Sequence, residues 1–159
     1  MSLLDKEPVK RAEKALKDFD PKLNVVILEE TARTARDAAS SLKCEVGAIV
    51  KSLLFKTQTN FILCLVAGDK RCSLNKLKKI TDIKDISMAS PNEVKKQTGY
   101  TIGGVSPVGH NNKVEILIDN SLERFIDLYA AAGHPNCIFK INFKNLQKIT
   151  NGKVKEIIE

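Results

Sequence analysis

The sequence predicts a single α/β domain with a mixed, largely antiparallel sheet flanked by helices. Three observations predict it. Short β-rich runs such as NVVIL, AIVKSLLFK, FILCLVA and VEILI alternate with short stretches of helical periodicity. The strand and helix signals do not repeat as regular βαβ units, which argues against a doubly wound parallel sheet. The 159 residues are 43% hydrophobic, enough for one sizeable core, and no internal linker or repeat marks a second domain, so residues 1–159 are expected to form one unit.

The elements follow in order. Val9, Ala12, Leu16 and Phe19 recur at helical spacing, with Pro8 near the first turn, so a helix is expected over Glu7 to Phe19. Asp20-Pro21 ends it, and Asn24 to Leu28 reads as a first strand. Thr34 and Asp37 have capping-box spacing at the start of a helix to Leu42. Ala48 to Lys56 is an apolar strand broken by Lys51, and Phe61 to Ala67 pairs with it as a hairpin. Ser73 to Ile80 is a short helix, and Ser87 to Ala89 is extended. Ser90, Pro91 and Glu93 then supply a cap, a first-turn proline and a capping-box acid for a helix to about Thr98. Val114 to Ile118 is a strand, Leu122 to Asp127 a helix, and Leu128 to Ala132 extended. Cys137 to Ile141 is a strand, Asn142 caps a helix over Lys144 to Ile149, and Val154 to Ile158 is the last strand.

Four of the eight glycines fall in TGYTIGGVSPVGH, at Gly99, Gly103, Gly104 and Gly109. Pro107 fixes its own φ and biases Ser106 toward extended geometry. The stretch has neither the GxGxxG nor the GxxxxGK[ST] pattern, so no dinucleotide or phosphate loop is read from it. It is a shaped, mostly uncharged wall, open to two readings: a structural turn or a ligand-contacting loop.

Lys51 sits in a strand apolar enough to be covered on both faces. It must reach solvent, or point as a cation into a cleft for an anionic ligand. Lys70, Arg71, Lys76, Lys78 and Lys79 make a mid-chain basic cluster, and the net charge of +7 favours an anionic partner. A solvated helix face explains the cluster as well. Asp119 is equally placed to cap the following helix or to face the cleft, and His110 and His134 each border a turn where a pocket or a surface loop is open.

No Ser-His-Asp arrangement and no GxSxG elbow is present. Ser106 has no evident base partner. Cys64 and Cys137 lie in apolar runs, and no CxxC pair exists among the four cysteines, so free thiols and no metal site are expected. No eighteen-residue apolar run and no signal-peptide pattern is found, so a cytoplasmic protein without a membrane span is the expectation. What remains is a site of backbone groups, one lysine and small residues. Such a site can act by positioning and by stabilising charge at a carbonyl.

IVKSLLF with its strand lysine, TGYTIGGVSPVG with Gly103 to Pro107 as a GxxxP element, and the tail order VEILIDNSLERF, LYAAAG and CIFKINFKNLQKIT together resemble the YbaK and prolyl-tRNA-synthetase-associated domain family. The resemblance covers essentially the whole chain. It implies a YbaK-like fold and a free-standing editing enzyme that deacylates mischarged tRNA, most simply tRNA(Pro), with prolyl-tRNA synthetase as a candidate partner. It implies that Lys51, Gly103, Gly104, Ser106 and Pro107 carry catalysis, with Lys51 at the tRNA end. Gly109, His110, Asp119, Ala131, Gly133 and His134 would contact the substrate, and Lys70, Arg71, Lys76, Lys78 and Lys79 the tRNA. Neither metal nor cofactor is implied, and a monomer is expected. The resemblance leaves water activated by a ribose hydroxyl, or, in cysteine-specific members, attack by the substrate thiol.

The cysteine-specific branch carries a serine before the glycine corresponding to Gly133. This chain has Ala130, Ala131 and Ala132 there, which favours alanine or another small residue as the group removed. A Cys-tRNA(Pro) deacylase and a non-catalytic tRNA- or synthetase-binding module are the alternatives.

Overall fold

A computed structural model describes residues 2–30 and 34–159. Five helices flank one mixed sheet of eight strands. The helices are α1 (Glu7–Phe19), α2 (Ala35–Leu42), α3 (Leu74–Thr81), α4 (Pro91–Thr98) and α5 (Phe143–Thr150). The strands are β1 (Val26–Ile27), β2 (Ile49–Lys56), β3 (Phe61–Ala67), β4 (Ser87–Met88), β5 (Glu115–Asp119), β6 (Leu128–His134), β7 (Cys137–Ile141) and β8 (Lys153–Lys155). Their order is β1-β7-β6-β2-β3-β5-β8, with β4 also on β2. The β1–β7, β2–β3, β2–β4 and β6–β7 ladders are antiparallel. The β2–β6, β3–β5 and β5–β8 ladders are parallel.

β3 shows how the sheet is built. It is apolar throughout because both faces are covered. Leu63, Leu65 and Ala67 point to one side, into a core shared with Val9, Ala12 and Leu16 of α1, Leu146 of α5 and Val94 of α4. Ile62, Cys64 and Val66 point to the other, beneath Leu77 of α3. Farther along that second face, Ala38 and Ala39 of α2 pack on Ile49, Ile138 and Leu28. Two strand faces therefore give two helix layers, and the α2–α3 layer has an interval between its helices.

The helix ends behave as their sequences require. Ser90 accepts from the Glu93 N–H while Glu93 accepts from the Ser90 N–H, a full capping box. Thr34, Ser73 and Asn142 each accept from the N–H three residues on. Four expectations need correction. The first strand is shorter than Asn24–Leu28, and both of its residues are exposed at the sheet edge. The helix expected over Leu122–Asp127 is a 3₁₀ turn, Asn120–Arg124, which Asp119 caps. The strand from Leu128 continues past Ala132 to His134 through an irregularity at Gly133. The last strand is Lys153–Lys155, because Asn151 and Gly152 turn the chain directly onto β5, and Ile158 instead bridges Cys72. Among the described residues no helix is long and apolar enough to cross a membrane.

Candidate active site

The cleft arises where the sheet opens. β2 and β6 pair only at Ile49–Tyr129 and Val50–Ala130, and then diverge. On the same edge of β2, pairing resumes only at the far end, where the Ala89 N–H donates to the Leu54 carbonyl (3.0 Å) and β4 meets Phe55 and Lys56. Lys51 to Leu53 lie between, against a cavity of about 380 Å³. α2 contributes Ala35 and Ala38 to its wall and its cap contributes Thr34, β6 contributes Tyr129 to Ala131, and β7 contributes Ile138. Ile102, Gly103, Val105 and Pro135 complete it.

The glycine loop is held rigidly. Gly99 ends α4 at φ +80°. Tyr100 is fully buried, and its hydroxyl donates to the Val108 carbonyl (2.7 Å). The Arg11 guanidinium lies 4.6 Å over the Tyr100 ring, donates to the Gly109 carbonyl (2.6 Å) and pairs with Glu7. Burial pushes the Tyr100 phenol up to about 12, so it stays protonated and can keep donating. The Gly133 N–H donates to the Gly104 carbonyl (3.0 Å), which stitches the loop to β6. A Cβ on Gly104 would lie 2.9 Å from the His134 nitrogen, so the two backbones meet only because Gly104 has no side chain.

The expected site residues separate into groups. Lys51, Gly103 and Ala131 line the cleft. Gly104, Gly133 and His134 form the stitch behind it, with the His134 Nδ1 accepting from the Asn136 N–H (3.0 Å). Ser106 is fully buried and its hydroxyl accepts from the Val108 N–H (3.4 Å). Pro107, Gly109 and His110 line a separate concavity of about 800 Å³ with Phe61, Ile116 and Lys153. His110 donates from Nε2 to the Ser106 carbonyl (2.7 Å), and burial lowers its basicity. Asp119 is not brought to the cleft. It is fully buried and accepts from the Ser121 N–H (2.9 Å), the Ser121 hydroxyl and the Ile157 N–H (2.8 Å), so the capping arrangement is the one its geometry fits.

Lys51 shares the α2–α3 face with Ile49, Leu53 and Phe55. Its ammonium donates to the Lys70 carbonyl. Burial lowers its pKa, and the Arg71 charge adds to the effect, whereas Asp69 opposes it. Arg124 grips Asp69 with two parallel bonds (2.8 and 3.0 Å) and so braces the turn that carries the Lys70 carbonyl. Arg71 and Lys79 are exposed, Lys76 pairs with Glu156 (3.5 Å), and Lys78 and Lys79 end α3 on the same side of the sheet as Lys51. The basic cluster and the lysine thus share one face.

Lys51 is the charged side chain in the wall of this cleft among the described residues, and no carboxylate, thiol or imidazole joins it there. The side-chain hydrogen bond with Cys72, and then burial, push the Cys64 thiol up, and burial pushes up the Cys137 thiol. Sequence reasoning missed Ser52, Tyr129, Ile102 and the α2 alanines in the wall, and the Asp69–Arg124 brace behind Lys51. Ser52 was available as a second polar residue in the apolar run IVKSLLF. The others come together only through the topology.

Known proteins share this fold. The family described as aminoacyl-tRNA editing domain matches residues 29–149. An uncharacterized Bacillus subtilis protein, YwhH, is 33% identical over 132 residues, 82% of this chain and 83% of its own. A proline–tRNA ligase of Kosmotoga olearia is 36% identical over 121 residues, 75% of this chain but 19% of the ligase, so the chain spans about a fifth of that relative. A crystal structure of a proposed trans-editing enzyme for prolyl tRNA synthetase superposes with a TM-score of 0.92 at 35% identity, covering 97% of this chain and 98% of that one. Sequence and fold thus converge: the chain belongs to the aminoacyl-tRNA editing domain family.

Proposed function

We propose that this chain is a trans-acting deacylase that hydrolyses the ester between a small mischarged amino acid, alanine or one of similar size, and the terminal ribose of tRNA(Pro). The observation that carries the reading is the cleft itself. It is small, walled by Ala130, Ala131 and the glycine loop, and has one ammonium beside it.

Lys51 spends one N–H on the Lys70 carbonyl and has two left for the terminal phosphate. Gly103 brings main chain to the wall where the ester carbonyl would lie, and backbone dipoles there stabilise the oxyanion. Water adds to the carbonyl carbon, aided by a ribose hydroxyl. The bond from that carbon to the ribose oxygen then breaks, and that oxygen takes up a proton. The enzyme supplies position and field rather than a nucleophile. Arg71, Lys76, Lys78 and Lys79 attract the acceptor end, and Lys70 mainly positions Lys51. The chain acts in the cytoplasm as a monomer, with prolyl-tRNA synthetase as the source of the mischarged substrate.

The test is release of labelled amino acid from tRNA(Pro) charged with alanine, serine, cysteine or proline. Alanine should be removed fastest and proline left in place. Binding of every tRNA with release of nothing would leave only a non-catalytic module.

A further inference from the structure

Ser52 holds a buried side-chain oxygen for which no hydrogen-bond partner exists among the described residues. Such groups are rare in folded proteins, because an unpaired hydroxyl loses its water without replacement. This one stands at the gap in the sheet.

The β2–β3 register fixes what else is there. The Gly68 N–H donates to the Ile49 carbonyl, so odd-numbered residues of β2 bond to β3 and even-numbered ones point away. Val50 uses that outward side for β6, and the Leu54 carbonyl uses it for Ala89. Ser52 lies between them, where β6 has left and β4 has not begun. Its peptide N–H and C=O therefore point across the gap, and rotation about χ1 carries the hydroxyl over the same opening.

We infer that Ser52 is a substrate-positioning residue that accepts hydrogen bonds from the α-ammonium of the aminoacyl group, through its hydroxyl and its carbonyl. The inference rests on the deacylase reading for the identity of the ligand. An ammonium offers three donors and requires acceptors. The described wall of the cleft contains no carboxylate, so neutral acceptors must serve. Lys51, the neighbouring cation, points to the opposite face and donates to the Lys70 carbonyl, so its ammonium does not itself occupy the gap. With the ammonium there, the aminoacyl side chain falls against Ala130 and Ala131.

The experiment uses 3′-alanylamido-3′-deoxyadenosine, a non-hydrolysable amide, and its N-acetyl form, with binding measured by calorimetry on the wild type and Ser52→Ala. The wild type should prefer the free amine by about 10-fold or more, the range of a hydrogen bond to a charged group. Ser52→Ala keeps the carbonyl and should lose the hydroxyl's share of that preference, several-fold at least, while its affinity for the N-acetyl form stays unchanged. Equal wild-type affinity for the two compounds, or a preference undiminished in Ser52→Ala, overturns the inference without recourse to any other variant. Turnover of alanyl-tRNA is scored separately. Hydrolysis with no amine preference keeps the deacylase reading and removes this one. Amine-dependent binding without hydrolysis does the reverse.

Discussion

Lys51 is a cation whose surroundings work against its charge. Burial and Arg71 lower its pKa, and Asp69 and the Lys70 carbonyl favour the charged form. If the ammonium holds the terminal phosphate, activity falls as pH rises through the lowered value, below the ordinary lysine range of about 10.4. Asp69→Asn removes an attractive charge and should move that alkaline limb to still lower pH. Arg71→Ala removes a repulsive one and should move it up. Rates corrected for spontaneous ester hydrolysis, followed along the alkaline limb, check both signs. Lys51→Ala should retain the fold and lose about 10- to 100-fold in kcat/KM, the scale of a charge-assisted hydrogen bond. Near-wild-type turnover would remove Lys51 from the site.

The glycines separate at the same scale. Gly103 has φ +92° with its nearest Cβ contact at 3.4 Å, so Gly103→Ala strains the backbone by about 1–2 kcal/mol without a clash. Gly104→Ala meets the His134 backbone and should cost more, with a larger drop in melting temperature. Ser106→Ala loses one long hydrogen bond at a buried position and should keep most activity.

Elements were legible in the sequence where local rules decide them. The capping box at Ser90 and Glu93, the caps at Thr34 and Asn142, and the β2–β3 hairpin all follow from residue type and spacing. What escaped depends on distant partners. The shortness of β1 reflects its edge position, and Asp119, which caps the 3₁₀ turn, also accepts from the Ile157 N–H, 38 residues away. The cleft was half legible. Lys51 and the glycine loop could be named, but a gap between β2 and β6 is a property of pairing that no single segment encodes. The Asp69–Arg124 brace spans 55 residues for the same reason. Both partners are part-exposed, so Arg124→Ala should cost little stability, about 1 kcal/mol or less. Its effect should appear in kcat/KM, as the turn beneath Lys51 loosens. Equal kcat/KM for Arg124→Ala and the wild type would show that the brace does not position Lys51.

For the whole molecule, the net charge of +7 and the placement of Arg71, Lys78 and Lys79 on the face of Lys51 predict long-range attraction of an RNA end. Neutralising these three together should weaken tRNA binding and flatten its salt dependence, with the slope falling by about 0.7–0.9 for each phosphate no longer neutralised. An unchanged slope would mark the cluster as a solvated helix face. On the proposed reading, the molecule as a whole hydrolyses a small aminoacyl ester by placing it, with no enzyme nucleophile. Rapid-quench hydrolysis of labelled alanyl-tRNA(Pro), combined with intact-protein mass analysis at each time point, decides this. Alanine release should run well above the spontaneous rate, with the protein mass unchanged throughout. An aminoacyl group trapped on Ser52, Ser106 or any cysteine at a rate competent for turnover, or no release above the spontaneous rate, would overturn it.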